Sequence, residues 1–162
     1  GVVKRDLDRE LERLHGTTRV LLRPPAILGA GATSVWNTVR PAQVREDVDQ
    51  RRTNPEQTFA WVHVDDLASI AADLATGVIS TGDDPAAGPV AGGCTPVNVV
   101  AGPATQRDYL AAVTEALGLE PTGEEGPAWT GQIVAERARA WGWRPRVDLT
   151  TALAELRSGL RA

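Results

Sequence analysis

Lys4 is the one lysine in a chain that carries 16 arginines. An ammonium is a compact point charge with three donors, whereas a guanidinium is planar and never loses its proton. Four residues after a tyrosine in a helix, an amine shares a face with the phenol. Its charge then lowers the phenol's pKa from about 10, and such a phenol can exchange protons near neutral pH. The opening G-V-V-K completes that pair if a tyrosine stands immediately ahead of Gly1. On this reading Lys4 is the catalytic candidate, and the tyrosine it would serve stands ahead of Gly1.

Other stretches invite chemistry and mostly decline it. His63, Asp65 and Asp66 are metal-ligand types, but no second cluster supplies the remaining ligands, so no metal site is expected. Gly29 and Gly31 have G-x-G spacing after a strand, yet Ser34 stands in the third glycine position. No acidic residue follows a clear second strand about 20 residues later, so a phosphate cradle is rejected. Cys94 lies in a glycine-rich stretch with no neighbouring base and reads as unreactive. Trp141 and Trp143 read as packing for a terminal helix, Trp36 and Trp61 as pocket residues, and Trp129 stays unassigned.

These residues need elements to place them. Leu7, Leu11 and Leu14 predict a helix over 5–14, stopped at Gly16. R-V-L-L-R at 19–23 reads as a strand that Pro24 and Pro25 end, with 28–34 as loop. A helix over 34–49 is interrupted by Pro41, and 59–64 is a second strand. Asp65 or Asp66 caps a helix over Leu67 to Leu74. A surface loop over 79–95 precedes a third strand at 97–101. Thr105 and Asp108 form a capping box for a helix closed by Gly118. Further helices are expected over 131–141 and, opened by Thr150 or Thr151, at the end of the chain. Three strands among five or six helices give an α/β class with too few strands for a complete open sheet.

The 162 residues fit one unit with no internal boundary. A net charge of −4 argues against a nucleic-acid binder built on a basic face. No run is apolar for long enough to span a membrane, and no signal-peptide pattern opens the chain, so a cytoplasmic location is expected. A single cysteine excludes an intrachain disulfide. The six arginines after residue 129 outnumber three acids there and read as a solvated face.

Four stretches recur in an order that matters: G-V-V-K at Gly1, R-P-P-A-I-L-G-A-G from Arg23, F-A-W-V-H-V-D-D-L-A from Phe59, and R-A-W-G-W-R-P-R-V-D-L from Arg139. Together they resemble the C-terminal portion of an extended short-chain dehydrogenase/reductase, the NAD-dependent epimerase/dehydratase family. The resemblance covers essentially the whole chain. It implies the C-terminal part of a doubly wound Rossmann-type sheet plus a small substrate-binding lobe, with the N-terminal dinucleotide-binding half absent from this chain. It also implies NAD or NADP as cofactor.

By the same resemblance Lys4 holds the nicotinamide ribose and keeps the catalytic tyrosine acidic. Pro24, Pro25 and Ile27 pack near the nicotinamide, and Ala26 to Gly31 form the loop that turns from cofactor to substrate. Ala26, Gly29, Trp36, Phe59, Trp61 and His63 face substrate, while Asp65 and Asp66 are structural caps. Nucleotide-sugar members usually have asparagine where Ala26 stands and often arginine where Phe59 stands. A methyl and a phenyl cannot hold phosphate as an amide and a guanidinium do, which favours a hydroxyl or carbonyl of a small biosynthetic metabolite as substrate. The alternatives are a nucleotide-sugar epimerase or dehydratase, and a non-catalytic binding or scaffold subunit that kept the fold. The expected partners are an N-terminal half, from the same gene or a separate chain, and a small-molecule substrate. Neither nucleic acid nor membrane is expected. An unpaired strand at 19–23 would leave a sticky sheet edge, so the chain alone is expected to be poorly soluble or oligomeric.

Overall fold

A computed structural model describes residues 2–14, 16–32, 34–123 and 126–161, without the side chains of 2–5 and 12. The chain runs α1 (Val2–Arg13), β1 (Arg19–Arg23), β2 (Ala26–Leu28), α2 (Val39–Glu46), a 3-10 turn (Val48–Arg51) and β3 (Arg52–Thr53). It continues through β4 (Thr58–His63), α3 (Val64–Ala75), β5 (Cys94–Asn98), β6 (Gly102–Thr105), α4 (Gln106–Leu117), β7 (Thr122–Gly123), α5 (Glu136–Ala140) and α6 (Leu149–Arg161).

The run from Ala60 to His63 is buried at every position, which requires cover on both faces of the strand. β4 is the centre of a three-stranded sheet ordered β2-β4-β6. β2 pairs with it in parallel, Ala26 opposite Trp61 and Leu28 opposite His63. β6 pairs antiparallel, Phe59 opposite Ala104. Trp61 belongs to a core with Ala26, Leu28, Tyr109, Val113, Leu153 and Leu156, under α4 and α6. Ala60 and Val62 point the other way, into a core with Ile70, Val97, Val99, Ala138, Trp141 and Trp143. Each core is thus fed by alternate residues of one strand.

A second sheet is the parallel pair β1-β5, Arg19 opposite Cys94 through Arg23 opposite Asn98. β3 and β7 form a short third pair. The link between the two main sheets is explicit. Val99 N–H still donates to Arg23 O, and Ala101 N–H already donates to Trp61 O. The expected strand at 97–101 is therefore corrected to Cys94–Asn98, because 99–101 is the crossing from one sheet to the other.

Other expectations are corrected by tertiary partners. Seven strands form among the described residues rather than three. Ala26–Leu28 is strand and not loop because β4 offers it a ladder. Pro41 does not interrupt α2: the helix starts at Val39, so the missing N–H falls in the first turn, where no intrahelical acceptor exists. The helix expected over 131–141 is confined to Glu136–Ala140. Ahead of it, Trp129 O and Gly131 O accept hydrogen bonds from Thr58, which hold that stretch out of the helix. The capping box of Thr105 and Asp108 forms, and Gly118 closes α4 in the left-handed region.

The aspartates after β4 are not caps. His63 is the N-cap of α3, its ring accepting from Asp65 N–H. Asp66 is 2% exposed and holds the chain's far end: Oδ1 accepts from Arg146 N–H at 2.9 Å and Oδ2 from Val147 N–H at 3.2 Å. Trp143 donates to Asp66 O and Ser69 Oγ, and Trp141 to Pro85 O. These indoles pack α3 and the 83–87 loop rather than the terminal helix. That helix is opened by Asp148, which accepts from Thr151 N–H, and not by a threonine.

Asp66→Ala leaves two backbone donors without an acceptor, at about 1–3 kcal/mol each. The thermal midpoint is expected to fall by roughly 4–24 °C for a chain of this size; an unchanged calorimetric midpoint would show that the tie carries no energy. The Thr151 backbone amide, followed by its side chain, holds the Asp148 carboxyl below the usual carboxylate range. A depressed folded-state pKa stabilises above the unfolded value, and that gain fades as pH falls through the lowered one. Asp148→Ala is expected to lower stability at pH 7 and to converge on the parent protein at strongly acidic pH, read by denaturant titration at both.

Candidate functional site

β1 and β5 run parallel, so their carboxyl ends lie side by side at Arg23 and Asn98. Ligands of open parallel α/β sheets bind outside that end. Two adjoining cavities open there. One of about 260 Å³ is lined by Arg23, Pro96, Asn98, Val134, Glu136 and Arg137. The other, about 280 Å³, is lined by Val100, Gly102, Pro103, Gln132 to Glu136 and Arg139. They share Val134 and Glu136, so the extended chain before α5 forms one wall of both.

That wall is tied to the outer edge of β5. Arg137 donates to Pro96 O, and Asn98 Nδ2 donates to Val134 O at 3.4 Å. Pro96 has no N–H to offer, and an edge is where a strand tolerates proline. α1 reaches the same end of the sheet: Arg23 Nη2 lies 2.8 Å from Asp8 Oδ2. Lys4 belongs to α1, one helical turn ahead of Asp8. Its ammonium lies outside the described residues.

The remaining candidate residues fall into three groups. Pro24 and Pro25 are half-buried between β1 and β2, and Ile27 packs against the core that holds Val62. Ala26 and Trp61 are buried opposite each other in the core under α4 and α6. Trp36 and Phe59 join the edge of that core as a stacked pair, centroids 4.8 Å apart and planes 12° apart. Tyr109 meets Trp36 edge-on and donates to Trp36 O at 2.6 Å. Burial raises the Tyr109 pKa well above that of a free phenol, partly opposed by Arg40. Arg40 lies over the Trp36 ring at 4.5 Å and donates to Gln106. The third group is Gly29 with His63. A Cβ on Gly29, at φ +151°, would come within 3.1 Å of His63 Nε2 and 2.8 Å of Val64. His63 is 1% exposed and faces Glu155 on α6.

Strand pairing and stacking thus bring Ala26, Trp36, Phe59 and Trp61 into one cluster, and Gly29 and His63 into another. Asn98, Gln132, Glu136, Arg137, Arg139 and Glu155 are residues that sequence reasoning misses. Arg137 and Arg139 sit inside the arginine excess read as a solvated face, and Asn98 ends β5 rather than lying within a strand over 97–101. Among the described residues no group of three or more His, Cys, Asp or Glu could hold a metal. Among them, too, no helix is long and apolar enough to cross a membrane.

Comparison with solved structures places this geometry. UDP-glucose 4-epimerase of Thermotoga maritima, with UDP-glucose, matches 99% of this chain over 52% of its own, with TM-score 0.62 and 18% identity. UDP-glucose 4-epimerase of Thermus thermophilus, with NAD, matches 99% of this chain over 51% of its own, with TM-score 0.58 and 21% identity. RMD of Pseudomonas aeruginosa, with NADPH, matches 88% over 47%, with TM-score 0.51 and 17% identity. The fold is that of the C-terminal portion of an extended short-chain dehydrogenase/reductase. The chain spans about half the length of these solved structures. No protein-family model and no curated protein matches it.

Ala26 belongs to the core that holds the aromatic cluster, and its neighbour Ile27 packs against the other core. Phe59→Ala is expected to cost about 2–4 kcal/mol, as a large aromatic leaves a packed stack. Near-ultraviolet circular dichroism should lose intensity at the same time; a loss of stability without that change would show that the stack is not formed.

Proposed function

We propose that the chain is the substrate-side portion of an NAD(P)-dependent oxidoreductase or epimerase. It acts on a hydroxyl or carbonyl of a small biosynthetic metabolite, together with an N-terminal dinucleotide-binding half. The observation that carries this is the match of nearly the whole chain to half of an enzyme solved with NAD. The sheet supports it. Backbone groups of Arg19, Leu21 and Arg23 turn toward β5, so those of Val20 and Leu22 turn to the other edge. No strand pairs with that edge among the described residues, and a further parallel strand would complete it.

The residues present fit one side of a dinucleotide. The G-x-G of Gly29 and Gly31 packs on His63 and α6, and no helix begins until Val39. It offers no helix N-terminus to a pyrophosphate, so that part of the cofactor falls to the other half. Pro24, Pro25 and Ile27 would flank the nicotinamide, and Lys4 would hold its ribose. When bound, the nicotinamide supplies hydride transfer to or from the substrate carbon. Lys4 also keeps a tyrosine from the other half acidic enough to take or give the hydroxyl proton. Gly29, Trp36 and Phe59 would bound the substrate, with the buried Ala26, Trp61 and His63 acting through the shape they impose.

A second reading is a nucleotide-sugar epimerase or dehydratase. The match to an epimerase solved with UDP-glucose favours it, and Arg40, over the Trp36 ring that stacks on Phe59, offers a guanidinium to the same aromatic cluster.

The test is turnover of NAD(P) with alcohols, ketones and UDP-sugars, by the chain alone and by its assembly with the N-terminal half. The chain alone is expected to be inactive, and Lys4→Met to lower the assembly's activity by about 10²–10⁴-fold. Turnover by the isolated chain, or an assembly indifferent to Lys4→Met, would falsify the reading. Binding of UDP-glucose by the assembly at micromolar concentration selects the second reading over the first.

A further inference from the structure

Nothing in the sequence sets Glu155 apart, since it is one acid on the amphipathic helix α6. In the fold its Oε2 lies 2.9 Å from His63 Nε2 and 3.2 Å from the Ala30 backbone nitrogen. Two donors from distant parts of the chain converge on one carboxylate oxygen.

The partners fix where the imidazole proton sits. Nδ1 accepts Asp65 N–H as the cap of α3. The neutral ring therefore carries its hydrogen on Nε2 and donates it to Glu155. A second carboxylate, Asp65 Oδ2, stands 3.8 Å from Nδ1 and is largely in solvent. The ring itself is buried, so a missing acceptor at Nε2 would leave a buried donor unsatisfied.

The loop from Gly29 to Ala32 depends on the same oxygen. Among the described residues, the bond from Ala30 N–H to Glu155 is the one hydrogen bond that Ala30, Gly31 or Ala32 makes. Gly29 lies against Val64 and the His63 ring, so that a Cβ there would meet Val64 at 2.8 Å and His63 Nε2 at 3.1 Å. Gly159, one turn after Glu155, brings α6 close to Gly31, since a Cβ there would lie 3.7 Å from its nitrogen. Loop and helix together enclose a cavity of about 150 Å³ that also touches Thr38 and Leu156.

We propose that Glu155 is the positioning residue of the Gly29–Ala32 loop. By accepting from Ala30 N–H and His63 Nε2–H together, it locks the loop to the end of β4 and the start of α3. It thereby sets the shape of the substrate side of the site. The inference rests on the proposed function in one respect, that this loop faces substrate. Glu155 acts through the loop and touches no reacting atom.

The first test needs no turnover. In the 162-residue chain, Glu155→Ala is expected to speed amide hydrogen exchange at Ala30 by about tenfold, the scale of one lost charge-assisted hydrogen bond. Glu155→Gln keeps a carbonyl oxygen for both donors and should restore exchange to within about threefold of the parent. Nitrogen-edited NMR should show a slowly exchanging His63 Nε2–H in the parent and the Gln variant, and none in the Ala variant. Unchanged Ala30 exchange in a folded Glu155→Ala chain overturns the proposal. Should that variant not fold, the parent spectrum decides: absence of the Nε2–H resonance overturns it.

The second test uses the assembly with the N-terminal half. Glu155→Ala should raise KM several-fold with kcat little changed, and Glu155→Gln should rescue KM. A loosened loop with unaltered KM overturns the positioning role. An assembly whose parent form turns over no NAD(P) substrate overturns the proposed function, and with it the claim that the loop faces substrate. The exchange and resonance measurements keep the two failures apart.

Discussion

A strand buried on both faces must be covered on both faces, and β4 imposes that constraint on nearly everything else. Trp61 and Ala60 are neighbours in the chain but belong to different cores. The helices α4 and α6 must therefore pack on one side, and α3, α5 and the tryptophan turn Trp141–Trp143 on the other. β2 and β6 are short and poor in strand-forming residues, and they exist because β4 gives them backbone partners. Burial of this apolar surface, at roughly 25 cal/mol per Å², is the driving force that the shorter strands share in.

Two polar devices turn this layered arrangement into a specific one. Asp66 accepts two backbone N–H groups from residues 80 and 81 positions later, which fixes the tryptophan turn against α3. His63 caps that same helix with one ring nitrogen and reaches α6 with the other. Both sit at the junction of β4 and α3, so the end of the central strand is also the point where the C-terminal segments are registered. Buried polar groups of this kind are stabilising only when fully partnered, and here each has its partners.

The crevice follows from topology. β1 and β5 are parallel and end together, and beyond β5 the chain crosses through 99–101 into the three-stranded sheet. One edge of this pair is sealed by Pro96, Arg137 and Asn98, while the other edge has no strand beside it among the described residues. The asymmetry is physical: a sealed edge resists further pairing, and an open one invites it. This is the feature of the fold that agrees with a second structural half completing the site.

Periodicity and punctuation were enough to read much of the fold. Leu7, Leu11 and Leu14 announced α1, the capping box at Thr105 and Asp108 with Gly118 bounded α4, and the apolar runs marked β1 and β4. These signals are local, and local energetics decide them. The order of the four motifs likewise carried the fold class. β2, the shift of β5 to Cys94–Asn98, the cap at His63 and the buried tie at Asp66 were not legible. A short strand needs a ladder from elsewhere, and an aspartate is a cap or a tether according to which N–H groups the rest of the chain brings to it. The candidate site divides the same way: residue types at Pro24 to Gly29 and Phe59 to His63 came from sequence. Asn98, Arg137 and Glu155 entered only when tertiary packing set distant segments side by side, because hydrogen-bond acceptors are chosen by position in space and not by distance along the chain.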